Sequence, residues 1–404
     1  MVDQQRNPGT SVNHSSTLPA RLRQARLAAG LTQDEVVESL ARPITKQALS
    51  KFERGKARPS PPVLLALASA LGVKPSWLLS EPATTIAWAG YRKHARLSKT
   101  DQTMVEAQVT LRTEAEVRLR SLFNLADGDE LPRHEANTPA KAEDAAAELR
   151  EHWRLGTDPI ASLVEVVESR GGIIVTIHGV ADFDGISGFT AEGLPVIAIA
   201  GDAPVDRLRF SLAHELGHLV LGCDSCSGRE QEDLANRFAG ALLAPGDEVK
   251  HVLGERRRRI ELEELALIKR QWGISMQAAV RRAHDLGIIR ESAYQSLNIE
   301  FRKSGRHRDE GVECPFEERP MLLDALALRA FAEELMSARE LRDLLAHGAG
   351  LPASEWYGER PSIRELARMT PAERRRVLAA TEMVSEDADA WDATDAAELR
   401  RLDA

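Results

Sequence analysis

Residues 211–222 read SLAHELGHLVLG, two histidines four apart with a glutamate directly after the first. On an α-helix, residues four apart share a face, so His214 and His218 would present both imidazoles to one ion. Glu215 would lie about 100° around the helix, where it can contact a metal-bound water and is not normally a ligand. Zinc lowers the pKa of such a water towards about 7, and the glutamate then takes its proton and hands it to a leaving amine. The competing reading is an ordinary buried helix that happens to carry histidines. Leu212, Leu216, Leu219 and Val220 make the rest of the helix apolar, so a His/Glu/His stripe is costly there unless paired or metal-bound.

A catalytic site of this kind needs a third protein ligand. The stretch SGREQEDLANRFAGALLAP, residues 227–245, offers one on the next helix. Ser227 with Glu230 spells a capping box at its start, and Pro245 closes it. Glu232, Asn236 and Ala239 share one face, with Leu234, Phe238 and Ala241 on the opposite, core-seeking one. Glu232 would be the third ligand and Asn236, one turn later, a partner that orients a ligand. Alternatively, Glu232 is a solvent-facing carboxylate in an acidic cluster with Glu230 and Asp233.

These helices need a scaffold. The stretch AAAELREHWRLGTDPIASLVEVVESRG reads as amphipathic helix, and GIIVTI, ISGFT and PVIAIA as short strands separated by Gly, Asp and Pro. Helices are expected at 205–222 and 228–244. Residues 81–142 read as a helical linker, and the chain beyond 250 as mostly helical.

The 404 residues allow two or three domains. No stretch reaches the length of a membrane span. The polar first residues lack the apolar core of a secretory signal and read as a flexible leader. Three cysteines do not build a disulfide framework, which suits a reducing cytoplasm. The net charge of −9 argues against a whole-chain polyanion binder. Charge is uneven, however. Residues 18–80 hold ten Lys and Arg against four acids, whereas residues 382–404 hold eight acids against two arginines. A basic head and an acidic tail suggest different partners for the two ends.

Within the head, Leu22, Ala25, Arg26 and Ala29 begin a helix that Gly30 can end. Thr32 caps a second helix with Glu35 completing a capping box. After the Arg42-Pro43 turn, Thr45 starts a third whose apolar positions are Ala48, Leu49 and Phe52. That leaves Lys46, Gln47, Ser50 and Lys51 outward, residue types suited to base edges and phosphates. A small helical bundle with a solvated basic face is the bland alternative.

The segments GLTQDEVV, ALSKFERGKARPS and LLALASALGV resemble, in order and spacing, the helix-turn-helix of the XRE/Cro repressor family. The resemblance covers about 60 residues. It implies that Gln33 touches a phosphate, that Lys46, Gln47, Ser50 and Lys51 face the major groove, and that Arg54 and Lys56 lie near the DNA backbone. Glu53 and Gly55 match the family's structural turn.

The sequence RLRFSLAHELGHLVLG followed by EDLANRFAGALLAP is similar to the ImmA/IrrE family of zinc metallopeptidases, over roughly residues 143–290. This resemblance implies a Zn2+ cofactor held by His214, His218 and Glu232, with Glu215 as general base. It also implies cleavage of a repressor, often of XRE type, that switches on stress, DNA-damage or mobile-element genes. One departure is the acidic, Cys-bearing loop CDSCSGREQED. Its Cys223 and Cys226 read as free thiols, with redox sensing as the minor option. His178, Arg207 and Arg209 are candidate oxyanion partners, each more often structural. LALIKRQWGISMQAAVRRAHDLGII resembles a second helix-turn-helix; Arg281 and Arg282 would then meet DNA, or alternatively form an exposed basic helix face. FRKSGRHRDEGVECPFEERP reads as an irregular loop, and RELARMTPAERRRVLAA as an amphipathic helix.

The expected molecule is multidomain and mainly α. A leader (1–17) precedes an all-α helix-turn-helix domain (18–80), the linker (81–142) and an α+β zincin-like core with a small β-sheet (143–248). A helical region (249–300) and a helical C-terminal region with the acidic tail (301–404) follow. Its expected role is a cytoplasmic DNA-binding regulator that cleaves a repressor or itself. The expected partners are operator DNA, the repressor as substrate, and a toxin or other protein at the C-terminal region, with no membrane and a homodimer left open. The alternative is a non-proteolytic transcription factor or antitoxin whose zinc domain senses or binds a partner.

Overall fold

The computed structural model describes residues 17–40, 44–89, 97–125, 128, 130–223 and 225–346. The leader, the Arg42-Pro43 turn, the helix expected around Leu366, Met369, Val377 and Leu378, and the acidic tail lie outside these residues. The chain divides into two compact units, one built around residues 31–81 and the other around residues 82–323. No helix of the described residues is long and apolar enough to cross a membrane.

The first unit contains α1 (Thr17–Ala28), α2 (Gln33–Ser39), α3 (Lys46–Glu53), α4 (Pro61–Ala70) and α5 (Pro75–Leu78). Thr32 and Glu35 cap α2 reciprocally: Glu35 N–H donates to Thr32 Oγ1 at 3.2 Å and Thr32 N–H to Glu35 Oε2 at 2.7 Å. Thr45 caps α3 one-sidedly, its hydroxyl accepting from Ala48 N–H. Leu22, Val36, Leu49, Leu67 and Leu78 form the core. Buried Arg21 lies over the Trp77 ring at 4.5 Å and donates to the Ser80 and Glu81 carbonyls, so its charge is satisfied inside.

The second unit runs β1 (Ile86–Ala89), α6 (Lys99–Leu122), β2 (His134–Glu135), α7 (Pro139–His152), α8 (Leu163–Ser169), β3 (Ile173–Ile177), β4 (Gly185–Thr190) and β5 (Pro195–Ala200). It continues through α9 (Val205–Val220), β6 (Leu221–Gly222), α10 (Gly228–Leu243), α11 (Gly246–Leu253), α12 (Leu262–Trp272), α13 (Met276–Asp285) and α14 (Glu291–Lys303). Two further helices, α15 (Leu322–Ala332) and α16 (Ala338–Ala346), follow in the chain.

Four strands form one mixed sheet in the order β1-β4-β5-β3, with β3 and β5 parallel and the other pairs antiparallel. The period-two alternation of a strand decides which side chain meets which layer. Ile173, Val175, Ile177, Val196 and Ala198 meet Val105 and Val109 of α6 on one face. Ile174, Ile197 and Ile199 meet Leu212 and Leu216 of α9 and Phe238 of α10 on the other. Burial on both faces accounts for the unbroken apolar runs of β3 and β5.

The helical reading of the linker is corrected at its start. Residues 86–89 form the edge strand β1, paired with β4 in the register Ile86 to Thr190. The short apolar run IAWA carries no period that separates strand from helix. The sheet then supplies the partner that decides it.

The second helix-turn-helix reading is also corrected. Helices α12 and α13 do form across a turn at Gly273, but two of their basic groups, Lys269 and Arg282, turn inward. Arg282 is buried, donating to the Ala244 carbonyl and to Glu143 of α7. Lys269 is buried between Asp206 at 2.9 Å and Glu310 at 2.8 Å. Arg270 and Arg281 stay exposed, the latter paired with Asp285. Buried guanidinium and ammonium groups must be paired, so Arg282 and Lys269 serve packing, not a nucleic acid.

Residues 304–321 have no regular structure, yet two of their carboxylates reach into the unit. Glu310 accepts from the N–H groups of Met276 and Gln277 at the start of α13 and from Lys269. Glu318 accepts from Leu163 and Val164 N–H at the start of α8 and pairs with Arg209 of α9, both side chains fully buried. Each carboxylate therefore satisfies orphan helix donors and a buried cation at once.

Candidate metal centre

Helix α9 carries His214, Glu215 and His218, and the capping box Ser227–Glu230 starts α10 directly after the Cys223–Cys226 disulfide. Gly217 sets the spacing of the two helices. A Cβ there would sit 3.0 Å from Phe238 Cδ1 and 3.3 Å from Ala235 Cα. Small residues at the crossing let the backbones approach, and Glu232, one turn before Ala235, meets the histidine face.

His214 Nε2 and His218 Nε2 lie 3.1 Å apart. Glu232 places Oε2 3.3 Å from His214 Nε2 and Oε1 3.2 Å from His218 Nε2. Among the described residues this is the one cluster of three or more His, Cys, Asp or Glu that could hold a metal ion. A tetrahedral ion about 2.0–2.1 Å from each N or O ligand separates those atoms by roughly 3.3 Å, so the donor set fits such an ion with little movement. His214 Nδ1 is 3.0 Å from Asn236 Oδ1. The geometry fits Nδ1–H donating, which leaves the Nε2 lone pair facing the other two donors.

The three groups interact electrostatically. Burial opposes charge on Glu232, but hydrogen bonds from His214 and His218 outweigh it and hold the carboxyl far below the usual range. Burial likewise opposes charge on His214, and its hydrogen bond to Glu232 prevails and raises its pKa. A divalent ion on these donors would displace the protons they hold.

Glu215, next to His214 on α9, is buried. Ser187 Oγ on β4 donates to its Oε2 at 2.7 Å, both groups nearly excluded from solvent. Gly185, two residues earlier on the same face, leaves room for it: a Cβ there would lie 2.8 Å from Glu215 Cγ. Neither residue stood out in the sequence. The signal was present as two small residues at i and i+2 on one face of the strand.

The oxyanion candidates fall elsewhere. Arg209 is fully buried and committed to Glu318 and the Ile160 carbonyl, which corrects its reading as a catalytic cation. Arg207 pairs with Asp184, and His178 Nδ1 is 2.7 Å from Asp202, both at exposed positions. Cys223 and Cys226 are joined as a disulfide, not free thiols; Cys314 is the free cysteine.

In the first unit, Lys46, Gln47, Lys51, Arg54 and Lys56 are exposed and Gln33 and Ser50 half-buried. Gln33 Nε2 donates to Glu53 Oε2 at 2.7 Å, and Arg26 holds the same carboxylate at 2.6 Å, so Glu53 ties α1, α2 and α3 together. Lys46 pairs with Asp34, and Arg54 donates to Ser50. Gln47, Lys51 and Lys56 are thus the exposed groups of the set to which no such side-chain bond is assigned.

Residues 22–78 match the family model described as helix-turn-helix, and residues 170–284 match that of a peptidase family, the IrrE N-terminal-like domain. The chain fuses a helix-turn-helix domain to an IrrE-like peptidase domain. The helix-turn-helix domain is the DNA-binding module of a regulator, and the IrrE-like match spans β3 to α13, three strands of the sheet and both helices of the three-donor cluster. The chain is multidomain and mainly α, with one small mixed sheet in its α+β part. No curated protein matches it.

Proposed function

We propose that the chain is a zinc-dependent endopeptidase carried on a cytoplasmic DNA-binding regulator. The observation that supports this best is the three-donor cluster of His214, His218 and Glu232 with Glu215 beside it on the same helix. In this reading His214 Nε2, His218 Nε2 and one Glu232 oxygen hold the ion, and Asn236 fixes the His214 ring. Zinc, when bound, supplies Lewis acidity that polarises the scissile carbonyl and acidifies the attacking water.

The remaining chemistry belongs to the chain. Glu215 takes the proton from the attacking water on its carboxylate and returns it to the leaving amide nitrogen. Ser187 keeps one carboxylate oxygen engaged, which restricts the rotamer and leaves the second oxygen to work. Burial of Glu215 excludes competing solvent. The substrate is a repressor of the helix-turn-helix type or the chain itself, and its cleavage relieves repression of stress, DNA-damage or mobile-element genes. Gln47, Lys51 and Lys56 place the enzyme on operator DNA.

The test compares zinc-loaded wild type with Glu215→Gln on helix-turn-helix repressors encoded nearby. Cleavage by wild type alone is expected. If neither protein cuts while operator binding persists, the chain is a non-proteolytic transcription factor or antitoxin.

A further inference from the structure

Helix α14 ends in a dense run of positive charge. Residues 302–308 read RKSGRHR, four permanent cations and a histidine within seven positions. Arg302, Lys303, His307 and Arg308 are exposed and Arg306 is half-buried. Among the described residues, none of the five side chains forms an ion pair or a hydrogen bond. The acids that follow are engaged elsewhere. Asp309 Oδ1 accepts from Gly311 N–H at 2.8 Å, and Glu310 accepts from Met276 N–H and buried Lys269.

The backbone under these cations is fixed. Phe301 is buried in the core at one end, and Glu310 is anchored to α12 and α13 at the other. Between them Gly305 turns the chain at a φ of +75°. His307 N–H donates to the Phe301 carbonyl at 3.2 Å and Arg308 N–H to the Gly305 carbonyl at 3.1 Å.

We infer that this turn is a second DNA contact, which holds backbone phosphates without reading bases. A helix C-terminus favours cations in its last turn, and that accounts for Arg302 and Lys303. It does not account for Arg306 and Arg308, which lie beyond the helix. Other arginines of the unit, such as Arg207, Arg257 and Arg281, carry carboxylate partners. Four unpaired cations on one short turn of a chain with net charge −9 are a local exception. Three of them are guanidinium forks, which match phosphate oxygens two at a time. The same chain carries the helix-turn-helix domain, so DNA held there is at high effective concentration for the rest of the molecule. That linkage favours DNA over a separate acidic protein.

The test measures binding of the full chain to a scrambled duplex at several salt concentrations. In one variant Arg302, Lys303, Arg306 and Arg308 are all changed to Gln. The slope of log affinity against log salt should shrink by about three to four units, and affinity should fall at least about tenfold at low salt. A second variant, Arg302→Lys with Arg306→Lys and Arg308→Lys, keeps the charge and should keep the wild-type slope. Adding the Gln changes to Gln47→Ala with Lys51→Ala should lower the slope by the same amount again, since the two contacts are separate.

An unchanged slope in the Gln variant overturns the inference, as does a Lys variant that loses as much as the Gln variant. Failure of the wild-type chain to bind the scrambled duplex overturns it too. Unchanged DNA binding with weakened binding of polyglutamate would assign the turn to an acidic polypeptide instead of DNA.

Discussion

Ser187 Oγ lies 2.7 Å from Glu215 Oε2, a hydrogen bond between the sheet and the histidine helix that is closed to solvent on both sides. A hydrogen bond to a buried carboxylate is worth more than one at the surface and is sharply directional. Ser187→Ala should keep the metal content of wild type and lower the cleavage rate about 10–100-fold. Metal analysis beside a single-turnover rate checks this; loss of metal, or an unchanged rate, would refute the assigned role.

Asn236 touches the cluster only through His214. Removing the partner of a ligand's second nitrogen costs orientation, not a ligand. Asn236→Ala should therefore weaken zinc binding about 10–100-fold, whereas His214→Ala should abolish stoichiometric binding. Competition with a chelator of known affinity separates the two.

Glu143 of α7 holds Arg282 of α13 and Arg237 of α10, and Arg237 also meets Asp285. Burial raises the Glu143 pKa, but hydrogen bonds and charge from Arg282 and Arg237 prevail and lower it. A carboxyl with a depressed folded pKa contributes stability above its ordinary value of about 4.3, and that contribution is lost as pH falls through the folded value. Wild type should lose stability on acidification below about pH 4.3 more steeply than Glu143→Gln. At pH 7 the substitution should cost about 3–5 kcal/mol, because buried Arg282 loses its carboxylate. Denaturant midpoints at several pH values measure both.

How much of this was legible in the sequence depends on the range of the signal. The capping boxes Thr32–Glu35 and Ser227–Glu230, the spacing of His214 and His218, and the runs of β3 to β5 are local patterns, and each lies where its pattern pointed. Gly55, at a φ of +69°, ends α3 where only glycine turns freely. What escaped were pairings across long separations. Ile86–Ala89 becomes a strand only because β4 accepts it, and Ser187 gains its significance from a helix 28 residues later. Arg282 and Arg209 looked like surface cations because their carboxylates lie 139 and 109 residues away. Nothing near them in the chain announces a partner.

The Cys223–Cys226 bond also bears on where the chain works, since a cytoplasm keeps most thiols reduced. Under denaturing, non-reducing conditions one thiol, Cys314, should titrate with a thiol reagent, and three should after reduction. Three thiols before reduction would show that the bond does not form in the protein as purified.

On DNA, Lys51 and Gln47 should behave differently. Lys51→Ala should weaken binding evenly across sequences and reduce the salt dependence by about one phosphate contact. Gln47→Ala should relax preference at one base pair, at a cost of about 1–3 kcal/mol for the best sequence. Binding curves at several salt concentrations on specific and scrambled duplexes distinguish them.

The carboxylates of Glu310 and Glu318 change what counts as a transferable module. The peptidase match ends at residue 284, but Lys269 and Arg209 are neutralised from beyond it. A gene fragment cut at the match boundaries would take the Glu318 carboxylate from buried Arg209, leave Lys269 with Asp206 alone, and remove the Glu310 contacts at the start of α13. Recombination that moves this domain between regulators must carry the irregular stretch through Pro320 as well. The unit that is inherited, grafted or swapped is thus longer than the unit that similarity outlines.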